Sequence, residues 1–178
     1  YQPPGIWEEV AMPGSTTGVY TQDKGEGLYR RTLYSVWKRS SPPPSMETFD
    51  AVSREVVCTQ RARTNTPLQA LVTMNDTQWV EAARKLAERT VGAVSTSEAR
   101  LDFLANSTLG RGLDAFERGK LLASYATFTT RFRAEPEMAK ALLTVGELPV
   151  DSRVDAVELA AWSMVASQFY NLDEFLSK

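Results

Sequence analysis

Three arginines, Arg54, Arg61 and Arg63, fall within ten residues and run directly into Asn65 and Thr66. A guanidinium presents a planar fork of donors that matches a carboxylate, sulfate or phosphate through paired hydrogen bonds. Thr66 opens a predicted helix, and the free N–H groups of a helix start also favour anions. The pattern reads as a grip for a sulfate, phosphate or uronate, with Arg54, Arg61, Arg63 and Asn65 as the ligand-binding residues. The alternative is structural: the arginines tie a loop layer to a helical layer through carboxylates such as Asp50 and Glu55, and Asn65–Thr66 simply cap the helix. Asp50 with Glu55 is also the candidate catalytic pair, and Glu8 with Glu9 is a second pair of carboxylates. A glycosidase needs two carboxylates about 5–9.5 Å apart across the scissile bond, a distance that sequence does not supply. On that reading the chain is a carboxylate-based hydrolase or lyase acting on an acidic polysaccharide, and the arginines clamp its substrate.

The remaining polar residues carry less. Asp173 and Glu174 read as a helix-end motif with Asn171 capping; a calcium site there lacks the spacing of an EF-hand loop. Cys58 lies between Val57 and Thr59 and is expected to be a buried small hydrophobe, because no histidine is present to activate it. Asn106-Ser-Thr matches a glycosylation pattern but falls inside a predicted helix. Tyr1, Trp7, Tyr20, Tyr29, Tyr34 and Trp37 crowd the first forty residues. They are expected to form the core of a loop-rich layer, the alternative being an exposed stacking surface for sugars or a partner.

Composition excludes whole classes of function. Histidine is absent and Cys58 is the only cysteine among 178 residues. The chain therefore builds no Cys/His zinc site, no histidine-ligated haem, no Ser-His-Asp or Cys-His pair and no internal disulfide. No cofactor is expected in this chain, although a carboxylate site for calcium or magnesium stays open. Lys and Arg number 20 against 22 Asp and Glu, a net charge of −2, and no basic run reaches five or six residues. Nucleic acid is thus not expected as the main partner, since phosphate neutralisation needs clustered cations. No stretch reaches 18 apolar residues, so no membrane insertion is expected. The chain opens at Tyr1 without an initiator Met. It is expected to be a piece of a longer precursor, and the lack of targeting signals then says nothing of where the parent goes.

These residues must be positioned by two kinds of chain. Seven of the nine prolines lie at or before Pro67, and half of the glycines precede Leu28. Residues 1–65 are expected to be a loop-rich layer around one helix at about 27–39, with Leu28, Leu33, Val36 and Trp37 on its apolar face. A short turn at Trp7–Val10, short strands near Gly18–Gln22 and Glu55–Thr59, and an extended stretch at Pro42–Pro44 complete that layer. Residues 66–178 are expected to be a helical bundle. Thr66 with Gln69 forms a capping box, and Pro67 sits at the first helical position. Asn75 or Asp76 caps the next helix, which carries Trp79, Val80, Ala83, Leu86, Ala87 and Val91 on one face and ends at Gly92. Ser95 with Glu98 opens a helix that stops at Gly110, and Asp114 with Glu117 opens the fourth. In that helix Leu121, Tyr125, Phe128 and Phe132 repeat along one side. Pro136 starts a shorter helix ending at Gly146, and Asp151 or Ser152 caps a last long one with Val157, Ala161, Met164, Val165 and Phe169 inward.

Several blocks together carry a resemblance. They are Pro42–Met46 (PPPSM), Phe49–Asp50, Arg54–Glu55, the run Arg61–Leu71 (RARTNTPLQAL), Asn75–Asp76 and Asn171–Phe175 (NLDEF). With the opening YQPPGIWEEV they resemble the C-terminal domain of unknown function, number fifteen fifty-three in its series, of large planctomycete secreted proteins. The resemblance implies that this chain is the C-terminal portion of such a domain. It also implies an extracytoplasmic location, periplasmic or at the cell surface, and neighbouring modules that include c-type cytochrome-like ones. It carries over no catalytic residue.

The expected fold is mainly α: a bundle of short antiparallel helices with an irregular Pro/Gly/aromatic-rich N-terminal layer, as one domain or the C-terminal part of one. The expected role is a non-catalytic scaffold or binding unit beside redox or glycan-related modules. Its expected partners are the other modules of the parent protein and an anionic glycan.

Overall fold

The computed structural model describes residues 1–177, and these are mainly helical. The eight α-helices among them are α1 (Pro44–Thr48), α2 (Pro67–Asn75), α3 (Thr77–Ala93), α4 (Ser97–Thr108), α5 (Ala115–Ala134), α6 (Pro136–Leu143), α7 (Ala156–Tyr170) and α8 (Asp173–Leu176). Among the described residues there is no β-strand, only a lone antiparallel bridge between Lys38 and Ser41. The chain divides into two compact units, Tyr1–Gln69 and Ala70–Lys178.

The first unit is irregular. Its 3₁₀ turns are Glu8–Val10, as the Trp7–Val10 pattern predicts, Gly25–Tyr29 and Thr32–Tyr34. The last two replace the helix expected over 27–39. Neither turn has a side-chain cap, Gly25 and Gly27 weaken the start, and Arg30 and Arg31 turn the chain extended between them. Leu33 and Val36, half of the expected apolar face, are exposed, so there is no packing to offset the missing propensity. The helix of this unit is instead α1. Pro44, expected in an extended stretch, is its first residue, where the fixed proline φ suits a helix.

The strands expected near Gly18–Gln22 and Glu55–Thr59 do not form; Val56 and Val57 lie in the open. Two further expectations are corrected here. Cys58 is exposed rather than buried, and its thiol donates to the Gln60 carbonyl at 3.2 Å. None of the six early aromatics is buried: Tyr1, Trp7, Tyr20 and Trp37 are half-buried, and Tyr29 and Tyr34 are exposed. Irregular backbone must keep much of its polar surface in water, so a loop layer cannot wrap every ring. Trp7 and Tyr20 still meet edge to face, with centroids 5.2 Å apart, and Lys38 lies over the Trp7 ring at 5.5 Å.

In the second unit α7 is the centre. α3, α4, α5, α6 and α8 all pack on it. Leu159, Ala160, Ala161, Trp162, Val165, Ala166 and Phe169 are buried around its whole circumference, which is what a central helix requires. Ala161, Val165 and Phe169 point inward as the spacing predicts, and Val157 and Met164 pack at the rim. From α3 come Ala83, Leu86 and Ala87, from α4 Leu101, Leu104 and Ala105, from α5 Phe132, and from α6 Ala139 and Leu143. Tyr125 stacks on Trp162 with centroids 4.5 Å apart.

The caps explain the boundaries. Asp76 accepts from Gln78 N at 2.9 Å to start α3, and Asp114 and Glu117 form a reciprocal box on α5. At Gly110, φ is +70° and its N–H bonds to the Ala105 carbonyl, a left-handed stop that glycine adopts without strain. Two caps differ from expectation. Thr96, not Ser95, caps α4 through Ala99 N at 3.2 Å. Asp155, not Asp151 or Ser152, caps α7 through Glu158 N at 2.9 Å. Asp151 instead accepts three hydrogen bonds from Arg153 in the loop before α7.

A buried ionic group closes that loop on α3. Glu81 and Arg84 are only 2% and 1% exposed. Glu81 Oε1 accepts from Leu148 N at 2.6 Å, and Arg84 donates to the Leu148 carbonyl at 2.8 Å and to Glu88 at 3.0 Å. Lys85 Nζ joins Glu88 and the Pro149 carbonyl, both at 2.6 Å. Gly146, at φ +92°, lets the backbone lie against this group; a Cβ there would overlap the Glu81 carboxylate.

Candidate anion-binding site

The arginine cluster lies in the first unit, in the loop from Phe49 to Thr66. Asp50 holds that loop together. Its Oδ2 accepts from Thr64 N at 2.9 Å, and the Thr64 hydroxyl donates to both carboxylate oxygens, at 3.0 and 2.8 Å. The Asp50 carbonyl accepts from Arg61 Nε at 3.3 Å. Behind the clasp lies Gln69, which is buried. Its amide donates to the Thr48 carbonyl at 2.9 Å and to the Thr64 hydroxyl at 3.0 Å. Its oxygen accepts from Thr66 N at 3.0 Å, and Thr66 Oγ1 accepts from Gln69 N at 3.3 Å. The capping box read from the sequence is therefore present, and Gln69 extends it into the loop.

Two non-glycine residues of the loop adopt left-handed backbone, Asp50 at φ 58° and Arg54 at φ 63°. Such conformations cost free energy and persist where surrounding contacts fix them. At Asp50 the contacts are the Thr64 bonds. At Arg54 the contact is a stack: the guanidinium lies over the Trp37 ring, 4.8 Å from its centroid.

The structure thus brings Asp50 and Arg61 together and sends Arg54 to Trp37. Arg54, Glu55, Arg61, Arg63 and Asn65 are all exposed. Among the described residues none of the three guanidinium groups forms a salt bridge. The Asp50 carboxylate is taken by Thr64, and no hydrogen bond or ion pair joins Asp50 to Glu55. The structural use of the arginines through these two carboxylates is therefore not what the loop shows. Glu8 and Glu9 are exposed on a single 3₁₀ turn.

The C-terminal acids do something the sequence did not reveal. Glu174 Oε2 accepts from Arg111 Nε at 2.9 Å, and Arg111 also forms a two-bond fork with Glu117 at 2.9 and 2.8 Å. Arg111 is held more strongly protonated by the Glu117 and then the Glu174 bonds, and the Arg111 bonds pull the Glu117 carboxyl down to about 2. Asn171 is the C-cap of α7, in keeping with a helix-end motif, and bonds the Ser167 carbonyl and the Thr73 hydroxyl; Leu172 holds the N-cap position of α8. The sequence signal was an arginine three residues before the Asp114–Glu117 box, flanked by Gly110 and Gly112. Among the described residues no three His, Cys, Asp or Glu side chains are grouped to hold a metal ion, and no helix is long and apolar enough to cross a membrane. Asn106 sits within α4, exposed.

Among families of known sequence, the model of the PSD1 family, described as protein of unknown function (DUF1553), matches residues 3–125. The match includes the PPPSM, Phe-Asp and RARTNTPLQAL blocks and stops before Asn171–Phe175. No curated protein and no solved structure matches the chain.

Proposed function

We propose that this chain, which belongs to the PSD1 family of proteins of unknown function, is a non-catalytic binding module that holds an anionic ligand at Arg54, Arg61 and Arg63. The observation that carries this reading is the arginine loop without carboxylate partners. Three exposed guanidinium groups sit on a loop braced by the Asp50–Thr64 clasp and the Gln69 network. Cations without carboxylate partners keep their charge available to an anion, and the clasp fixes the two ends of the loop that carries them. Asn65, beside them, supplies a further polar side chain at the start of α2.

The hydrolase or lyase reading has less support, because it needs Asp50 free to exchange a proton. Both Asp50 oxygens already accept hydrogen bonds from Thr64. The blocks shared with planctomycete secreted proteins support a place outside the cytoplasm, beside redox or glycan-related modules of a larger chain.

The test is a thermal-shift and calorimetry panel on the 178-residue chain. The ligands are inorganic sulfate and phosphate, uronic-acid and sulfated oligosaccharides, and carboxylate-rich peptides. One class gives a saturable rise in melting temperature, worth about 2.7 kcal/mol at 100 times its dissociation constant. Arg61→Ala with Arg63→Ala removes that rise and leaves the ligand-free melt in place, as expected for exposed side chains. A panel without any arginine-dependent shift overturns the reading.

A further inference from the structure

The arginines flank an apolar strip. Val56 and Val57 are 76% and 94% exposed, the exposed large apolar side chains of this loop. They lie between Arg54 on one side and Arg61 and Arg63 on the other, and Glu55 is the only acid from 53 to 65. All thirteen residues from Ser53 to Asn65 are exposed. From 53 to 64 no backbone–backbone hydrogen bond forms among the described residues. The main-chain groups that are engaged are Glu55 N with Ser53 Oγ, the Gln60 carbonyl with the Cys58 thiol, and Thr64 N in the Asp50 clasp.

These facts conflict with the local sequence. Val56, Val57 and Thr59 are β-branched, and such residues favour strands. The segment has strand-favouring side chains and, apart from Glu55 N and the Gln60 carbonyl, open main-chain donors and acceptors. It bends at Glu55–Val56 and at Thr59–Gln60 and has no neighbouring strand, so a partner would have to straighten it. A hydroxyl-rich glycan or a bare anion would satisfy the arginines and leave the valines in water. An extended peptide meets all three needs at once. Its backbone pairs with the open groups, its apolar side chains cover Val56 and Val57, and its acids meet the arginines.

Resting on the anion-binding reading above, we propose that the ligand of this loop is an extended, acidic segment of a partner protein, which adds as a strand beside Glu55–Thr59. Charge complementarity selects its sign: three arginines against one glutamate over 53–65.

The test titrates the full chain with a peptide of alternating glutamate and valine. Parallel arms use a lysine–valine peptide, a uronic-acid oligosaccharide and vesicles containing phosphatidylglycerol. The expected result is saturable binding of the glutamate peptide alone, with slowed amide exchange at Val56–Thr59. Val57→Gly changes no charge at an open position, and should weaken the peptide about fivefold, through lost strand propensity and apolar contact. Arg61→Glu should abolish binding. If the oligosaccharide binds through the arginines and the peptide does not, this inference falls and the anion-binding reading stands. If vesicles bind in place of the peptide, it also falls. Peptide binding indifferent to Val57→Gly, with no exchange protection, reduces the contact to charge attraction and overturns strand addition. If nothing binds, both readings fall.

Discussion

At the scale of single residues, the same pair of types has different weight according to burial. Arg84 and Glu81 are almost fully enclosed; both Arg84 Nη atoms and Glu81 Oε1 find partners in the 146–151 loop or on α3, and Arg84 Nε is buried without a hydrogen bond. Arg153 and Asp151 lie closer together, at 2.9 and 2.7 Å against 3.5 Å for Arg84 and Glu81, but Arg153 lies in solvent. Removing one member of a buried pair strands the other, which costs about 3–5 kcal/mol. Arg84→Met is therefore expected to lower stability by that order in a urea melt, with the denaturant slope unchanged. Adding Glu81→Gln should recover part of the loss, since the stranded group is then neutral. Arg153→Ala should leave the midpoint nearly where it was, as for exposed pairs generally. A loss at Arg84→Met that Glu81→Gln does not relieve would mean that packing, not charge, dominates there. None of this was legible in the sequence. Glu81, Arg84, Lys85 and Glu88 are spaced like an ordinary solvated helix face, and what buries them is a loop more than sixty residues away.

At the scale of elements, legibility followed how local the determining physics is. A cap is decided within four residues, so Thr66–Gln69, Asp76 and Asp114–Glu117 could be read directly. Where two candidates lay side by side, as at Ser95 and Thr96, the choice depended on where the first packed residue fell, and the sequence misplaced it. The helix expected over 27–39 failed for a related reason. Apolar spacing describes a face but not what covers it, and Leu33 and Val36 remain uncovered. The arginine loop was half legible: its arginines stand out in the sequence, but the Asp50–Thr64 clasp, which engages both oxygens of the candidate acid Asp50, does not.

The Arg111 junction is an element-scale device that no spacing rule predicts. One guanidinium joins the first turn of α5 to α8. Glu117 sits at about 2 in the fold, below its ordinary 4.5. A carboxyl depressed in the native state stabilises above its unfolded value and loses that contribution as pH falls through its folded one. The melting temperature should thus decline between about pH 5 and pH 2, with Asp151, also lowered to about 2 by Arg153, adding to the slope. Arg111→Gln should flatten that acid limb by lowering the melting temperature at neutral pH and leaving it at pH 2 nearly unchanged. A limb of unchanged steepness would assign it to other carboxylates.

At the scale of the whole molecule, burial is divided unevenly. Every buried hydrophobic residue of the core, from Ala83 to Tyr170, belongs to the unit Ala70–Lys178. The unit Tyr1–Gln69 is braced by hydrogen bonds, two cation–aromatic stacks and half-covered rings instead. Opening free energy scales with the apolar surface an opening exposes, so the two units should differ by many-fold in how often their amides meet solvent. Amide exchange is expected to be slowest along α7, where removing one helix uncovers the whole core. It should be fastest from Val56 to Arg63, where no amide donates a hydrogen bond among the described residues. Trypsin gives the same ordering by chemistry: Arg54, Arg61 and Arg63 should be cut before Arg84, Arg100 or Arg131. The two probes also separate stability from occupancy. A bound acidic strand should protect Val56–Thr59 from exchange and Arg54 and Arg61 from cleavage without slowing α7, because it stabilises only the loop it pairs with. Protection that spreads equally to α7 would mean that the ligand stabilises the second unit itself, and the binding residues would then have to be sought among its helices.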